Sequence, residues 1–158
     1  MLFSEMKLQD PIKAALAKNG YETATPIQEQ VISLALEGKN IVGQSQTGTG
    51  KTAAFVLPLL ELVDGRVRRP QAVILAPTRE LASQIRDEVF KLSDGMRIKS
   101  TVIFGGTSFK KQKEIIDQGP QIIIATPGRL IDLIDRRYID MAQVKYFVLD
   151  ECDRMLDM

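Results

Sequence analysis

The stretch Ile41-Val42-Gly43-Gln44-Ser45-Gln46-Thr47-Gly48-Thr49-Gly50-Lys51-Thr52-Ala53-Ala54-Phe55-Val56-Leu57 sets a glycine-rich turn between a short apolar strand and a helix. Gly48 and Gly50 let the backbone approach a ligand closely enough for its N–H groups to ring phosphate oxygens, and the helix that follows points its positive end at them. Ser45, Gln46, Thr47 and Thr49 complete the cradle, Lys51 reaches the β- and γ-phosphates, and Thr52 offers a hydroxyl to Mg²⁺. Ser45 stands where the general phosphate-loop pattern has glycine. An ordinary Gly/Thr turn capping a helix is the alternative, but Gly-Lys-Thr between strand and helix is far more specific than a loose glycine pattern.

The 158 residues are enough for one sizeable core, so one domain is expected. With 21 basic and 20 acidic residues there is no global pull toward a polyanion, and any such site must be local. The longest apolar runs, such as Ile122-Ile123-Ile124-Ala125, are too short to span a bilayer, and the N-terminus lacks a signal-peptide pattern. A soluble, cytoplasmic protein is expected. Cys152 is the single cysteine and histidine is absent, so catalysis must rest on carboxylates and a bound metal.

Helical spacing at Ile12, Ala15 and Leu16, and again at Ile27, Val31, Leu34 and Ala35, predicts two helices ahead of the first strand. Beyond the phosphate loop, strand-like runs (72–76, 100–104, 121–125, 146–149) alternate with helical ones (81–92, 109–118, 130–134). Alternation of this kind predicts an α/β fold with a mostly parallel sheet and helices on both faces. The segment Asp64-Gly65-Arg66-Val67-Arg68-Arg69-Pro70 reads as a surface loop whose arginines are either a solvated face or a polyanion contact.

In open α/β sheets ligands gather at the carboxyl ends of the strands, and four motifs fall there. The last strand delivers Asp150 and Glu151, the first suited to hold Mg²⁺ through its water shell and the second to orient and deprotonate an attacking water. Two other strands run into Pro77-Thr78-Arg79 and Thr126-Pro127-Gly128-Arg129. Thr78 and Thr126 are natural N-caps, yet each helix then carries an arginine in its first turn, where the helix dipole disfavours a cation by ~0.3–1 kcal/mol. The repeated placement suggests a phosphate site made of arginine and free N–H groups; pairing with carboxylates such as Asp132 is the alternative. Gly105-Gly106 would let a backbone approach closely. Upstream, Thr25-Pro26-Ile27-Gln28 reads as a capping box, while the Gln28 amide also suits the N6 and N7 of adenine.

Together these segments resemble the N-terminal half of a DEAD-box RNA helicase core, over almost the entire chain. Phe3, Tyr21, Thr25 and Gln28 look like its adenine-sensing Q motif, Ser45 to Thr52 like motif I, and Pro77 to Ala82, Gly105-Gly106 and Thr126 to Arg129 like its RNA-contacting motifs. Asp150-Glu151-Cys152-Asp153 looks like motif II, with Cys152 in place of the usual alanine; Ala24 replaces the usual proline of the Q motif. The resemblance implies a RecA-like P-loop domain over residues 1–158, with the Q motif at about 1–28, that uses ATP and Mg²⁺. It implies RNA, single-stranded or duplex, gripped by its sugar-phosphate backbone between this domain and a second RecA-like one, with adaptor proteins as further partners.

The chain stops a few residues past motif II. The serine-alanine-threonine motif expected to couple to Asp153, and the second domain with its arginine finger, are not among these residues. The chain alone is therefore expected to bind nucleotide without unwinding RNA, and the sheet to show a gap or exposed edge near the motif II strand. A DNA-directed motor of the same superfamily and a non-catalytic nucleotide-binding scaffold are the rival readings.

Overall fold

Four apolar tetrapeptides make the sheet: β1 (Ala72–Leu75), β2 (Ser100–Ile103), β3 (Ile122–Ala125) and β4 (Tyr146–Leu149). A computed structural model describes residues 1–36, 49–142 and 144–149, without the side chains of Ile27, Ala35, Thr49 and Lys51. Among the described residues the strands lie in the order β2-β3-β1-β4, every neighbour parallel. Ile122, Ile123 and Ile124 are fully buried in succession, the mark of a central parallel strand covered on both faces.

The two faces carry separate halves of the core. Ile74, Ile122 and Ile124 pack against α1 (Asp10–Lys18), α2 (Pro26–Leu36), α3 (Thr49–Leu62) and α4 (Arg79–Leu92). Val73, Ile103 and Ile123 pack against α5 (Phe109–Asp117) and α6 (Pro127–Asp135). The expected helices on both faces are present, and strand and helix limits fall within a few residues of those read from the sequence. A short 3₁₀ turn at Phe3–Glu5, which apolar spacing does not signal, precedes α1.

The register levels the strand ends. Leu75 pairs with Ala125 and Leu149, and Ile103 pairs with Ala125, so all four strands finish in one row. Helices α4, α5 and α6 each begin just beyond that row and run back to the opposite, amino edge. Helix α3 ends at Leu62 and its loop feeds the start of β1, so α3 begins at the carboxyl edge as well. β4 is the terminal strand among the described residues; Phe147 and Leu149 are exposed on it. The expected strand at Ile41-Val42, and with it the pairing that would close or leave open that side, lies outside the described residues.

Candidate functional site

Parallel strands of equal register bring their loops to one edge, so the motifs stand side by side in strand order: Gly105-Gly106 after β2, Thr126 to Arg129 after β3, Pro77 to Arg79 after β1, then the end of β4. The Asp150, Glu151 and Asp153 of the acidic motif lie outside the described residues, as do Ser45, Gln46, Thr47 and Gly48 of the phosphate loop. Thr49, Gly50, Lys51 and Thr52 form the first turn of α3, as the loop-to-helix reading requires. Thr52 is half-buried there. The positive end of the helix dipole, at the carboxyl edge, suits an anion. Among the described residues no three of His, Cys, Asp and Glu cluster to ligate a metal. The donors expected for Mg²⁺, Thr52 and Asp150 with phosphate oxygens and water, are hard oxygen ligands that would suit that cation.

The segment ahead of α2 is a capping box in full. Gln28 Oε1 accepts from the Thr25 N–H at 2.9 Å, and Thr25 Oγ1 accepts from the Gln28 N–H at 3.3 Å. Gln28 is 2% exposed. An amide has two lone pairs on oxygen and two N–H donors, so the box does not preclude base recognition. Phe3 and Tyr21 support this segment from below: their rings meet edge to face at 6.3 Å, and the Phe3 N–H donates to the Glu22 carbonyl at 2.9 Å. The Tyr21 hydroxyl donates to Glu88 Oε1 at 2.6 Å, tying the segment to α4. Glu88, 3% exposed and also within 3.2 Å of the Lys91 ammonium, is an anchor of this segment that motif reading missed. An acidic residue amid the buried Ile85, Val89 and Leu92 stripe of α4 was the available signal.

The two arginine-bearing turns differ. At the β1 turn Pro77 is buried and the Thr78 hydroxyl accepts from the Leu81 N–H at 3.2 Å, as expected of an N-cap. Arg79 is exposed, lies 4.3 Å over the Phe104 ring, and makes no ion pair among the described residues. At the β3 turn Thr126 stands at the N-cap of α6 but makes no side-chain capping bond, which corrects the expectation. Pro127 at the first helical position has no N–H, so the turn begins with fewer donors to satisfy, and the N–H groups of Gly128 and Arg129 face the edge uncapped.

Arg129 turns inward. It is 8% exposed, its Nε donates to the Phe104 carbonyl at 3.3 Å, a terminal nitrogen donates to the Thr107 carbonyl, and its guanidinium lies 3.9 Å over Phe109. Arg136 covers the same ring at 3.7 Å. No carboxylate among the described residues is involved, so the alternative of pairing with Asp132 does not describe this residue. Arg129 instead ties down both ends of the Gly105-Gly106 loop. Gly106 has φ +89°, a conformation that favours glycine, and a Cβ on Gly105, Gly106 or Gly128 would meet nothing within 4 Å. The loop is thus held at its base and open at its crest.

A family model described as DEAD/DEAH box helicase matches residues 25–158. The chain is similar to the ATP-dependent RNA helicase CshA of Limosilactobacillus reuteri, 48% identical over 158 residues that cover 100% of this chain and 32% of that protein. To the DEAD-box ATP-dependent RNA helicase CshA of Streptococcus pneumoniae it is 46% identical, covering 100% of this chain and 30% of the relative. A solved DEAD box protein from the hyperthermophile Methanococcus jannaschii superposes with a TM-score of 0.95 at 43% identity, over 100% of this chain and 43% of that one. The chain spans about a third of the length of the curated relatives it matches.

Proposed function

The chain belongs to the DEAD/DEAH box helicases, and from that premise we propose that it is the ATP- and RNA-binding RecA-like domain of a cytoplasmic RNA helicase that opens short duplexes or remodels RNA–protein complexes. The observation that carries the reading is the levelled edge: three loops suited to phosphate stand on neighbouring strands beside the N-terminal turn of α3.

The division of labour follows from the residues. Gln28, braced by Thr25 and by the Phe3 and Tyr21 rings, reads the adenine edge. Ser45 to Thr52 hold the phosphates, with Lys51 on the β- and γ-oxygens. When bound, Mg²⁺ neutralises phosphate charge, and Thr52 and Asp150 are the side chains that would hold it. Glu151 orients the attacking water and takes its proton. Arg79, the Gly105-Gly106 crest and the uncapped N–H groups of Gly128 and Arg129 grip successive RNA phosphates, so base sequence matters little. Asp153 couples the nucleotide site to the RNA site, and adaptor proteins act outside this domain.

Assayed as this domain by itself, the chain should bind adenine nucleotide and turn it over negligibly, because the resemblance assigns the arginine finger, worth ~10³–10⁵ in rate, to a second RecA-like domain. The experiment is nucleotide titration of the chain and of Gln28→Glu, followed by phosphate release with and without single-stranded RNA. Gln28→Glu retains an acceptor for the cap and should keep its fold while losing preference for ATP over GTP. Equal ATP binding by the variant would remove the adenine role. RNA-stimulated turnover by the chain would overturn the division between domains, and equal stimulation of the longer protein by DNA would favour a DNA-directed motor.

A further inference from the structure

The amino edge of the sheet holds a second concentration of cations that the motifs do not account for. The loops after α3, after α4 and before β3 border an open cleft of about 620 Å³ lined in part by Arg66, Arg68, Arg97 and Lys99, with no carboxylate among the described residues that line it. Arg66 is matched within its own loop by Asp64 at 3.1 Å, whose carboxyl it holds below the ordinary value through that side-chain hydrogen bond. Three further carboxylates are likewise engaged: Asp94 holds Lys18, Asp117 holds Lys113 and Asp140 holds Arg69. Arg68, Arg97 and Lys99 are exposed and have no ion pair among the described residues.

The cleft is built rather than incidental. Gln121, 2% exposed, accepts from the Lys99 N–H at 2.8 Å and donates to the Gly65 carbonyl at 3.3 Å, joining two of the loops. Gln71 closes the 64–67 turn by accepting from the Asp64 N–H at 2.8 Å and donating to the carbonyls of Asp64 and Val67. Gly65 and Gly119 let the loops touch: a Cβ on Gly65 would fall 2.7 Å from the Arg97 carbonyl oxygen, and one on Gly119 would fall 2.7 Å from both the Arg68 Cβ and its carbonyl oxygen. Three cations are thus mounted on interlocked loops while the whole chain carries a formal charge of only +1.

We propose that this amino-edge cleft is a second RNA-backbone site, in which Arg68, Arg97 and Lys99 hold phosphates of a segment other than the one gripped at the carboxyl edge. The proposal rests on the reading of RNA as the ligand. An acidic protein would also be attracted, but protein interfaces are anchored by buried aromatic and apolar side chains. Here the lining offers only Met96 and Ile98, both half-buried, which matches the polar, cationic character of nucleic-acid interfaces. Arginine's fork adds two-point phosphate contact.

The test is fluorescence anisotropy of a labelled oligouridylate on the chain, from low to moderate salt, for the parent, the triple variant Arg68→Ala/Arg97→Ala/Lys99→Ala, the lysine-for-arginine pair Arg68→Lys/Arg97→Lys, and Arg79→Ala at the other edge. Each lost phosphate contact to a single strand lowers the log–log salt slope by about 0.7, so the triple variant should reduce it by about two and weaken low-salt binding roughly tenfold or more. The lysine pair should keep the slope, and an unchanged thermal melt will show that the fold persists. An unchanged slope in the triple variant together with weakened binding by Arg79→Ala overturns this proposal and leaves the carboxyl-edge reading standing. Loss confined to the triple variant supports the second site while removing Arg79 from the first. Failure of every form to bind overturns both, and displacement by polyglutamate at lower concentration than by RNA assigns the cleft to an acidic protein instead.

Discussion

Glycines at the two edges of the sheet do opposite things. At the carboxyl edge, a Cβ on Gly105, Gly106 or Gly128 would meet open space, and the loops they crown end in exposed backbone. At the amino edge, a Cβ on Gly65 or Gly119 would collide with the backbone of a neighbouring loop at 2.7 Å. Glycine in the first place leaves room for a ligand that comes and goes. In the second it has already spent that room on the protein itself. One edge is shaped to receive a partner's backbone, while the other is locked so that the cations upon it keep their spacing.

The sharpest way to break the contrast is Gly119→Ala, which adds a left-handed penalty at φ +81° to a clash with Arg68. It should cost about 2–4 kcal/mol, read from a shifted denaturant midpoint. Gly105→Ala should leave that midpoint within roughly 0.5 kcal/mol while weakening single-stranded RNA binding about tenfold, ~1.4 kcal/mol. A large midpoint shift there would mean that Gly105 is structural too. Second to Gly119→Ala in its effect on stability, Arg129→Ala strips charged donors from two carbonyls and should cost about 1.5–3 kcal/mol, whereas Arg79→Ala should barely change stability. Equal losses for the two arginines would erase the distinction between the inward and outward turns.

The smallest effect should come from Arg137→Gly. Arg137 ends α6 at φ 60°, with its N–H donating to the Ile134 carbonyl and the Tyr138 N–H donating to that of Leu133. Gly20 and Gly119 hold the corresponding left-handed positions after α1 and α5. The substitution should raise stability by about 0.5–1 kcal/mol, measured by the same denaturant titration.

Reading the strands from apolar tetrapeptides, and the site from their carboxyl ends, needed only patterns local in sequence. The Thr25–Gln28 box was legible for the same reason, since both partners sit within one helical turn. Arg129 was not: its partners are the carbonyls of Phe104 and Thr107, and a carbonyl leaves no mark in sequence because every residue has one. The absent side-chain cap at Thr126 was equally silent, since the residue type is the same one that caps α4 at Thr78. Gln71 and Gln121 were half-visible. Each is a glutamine immediately before a buried apolar strand, a shared position that went unread because its loop partners are backbone groups.

The common finishing row of Leu75, Ile103, Ala125 and Leu149 also bears on how such a protein can be re-engineered. A level rim is a modular one: turns of matched length can be exchanged between relatives without tilting what stands next to them. The strands beneath enjoy no such freedom. One residue inserted before the rim in β3 would rotate each isoleucine to the opposite helical layer and raise one turn above its neighbours. Variation should therefore be grafted between the strand ends and the helix starts, where the scaffold does not feel it.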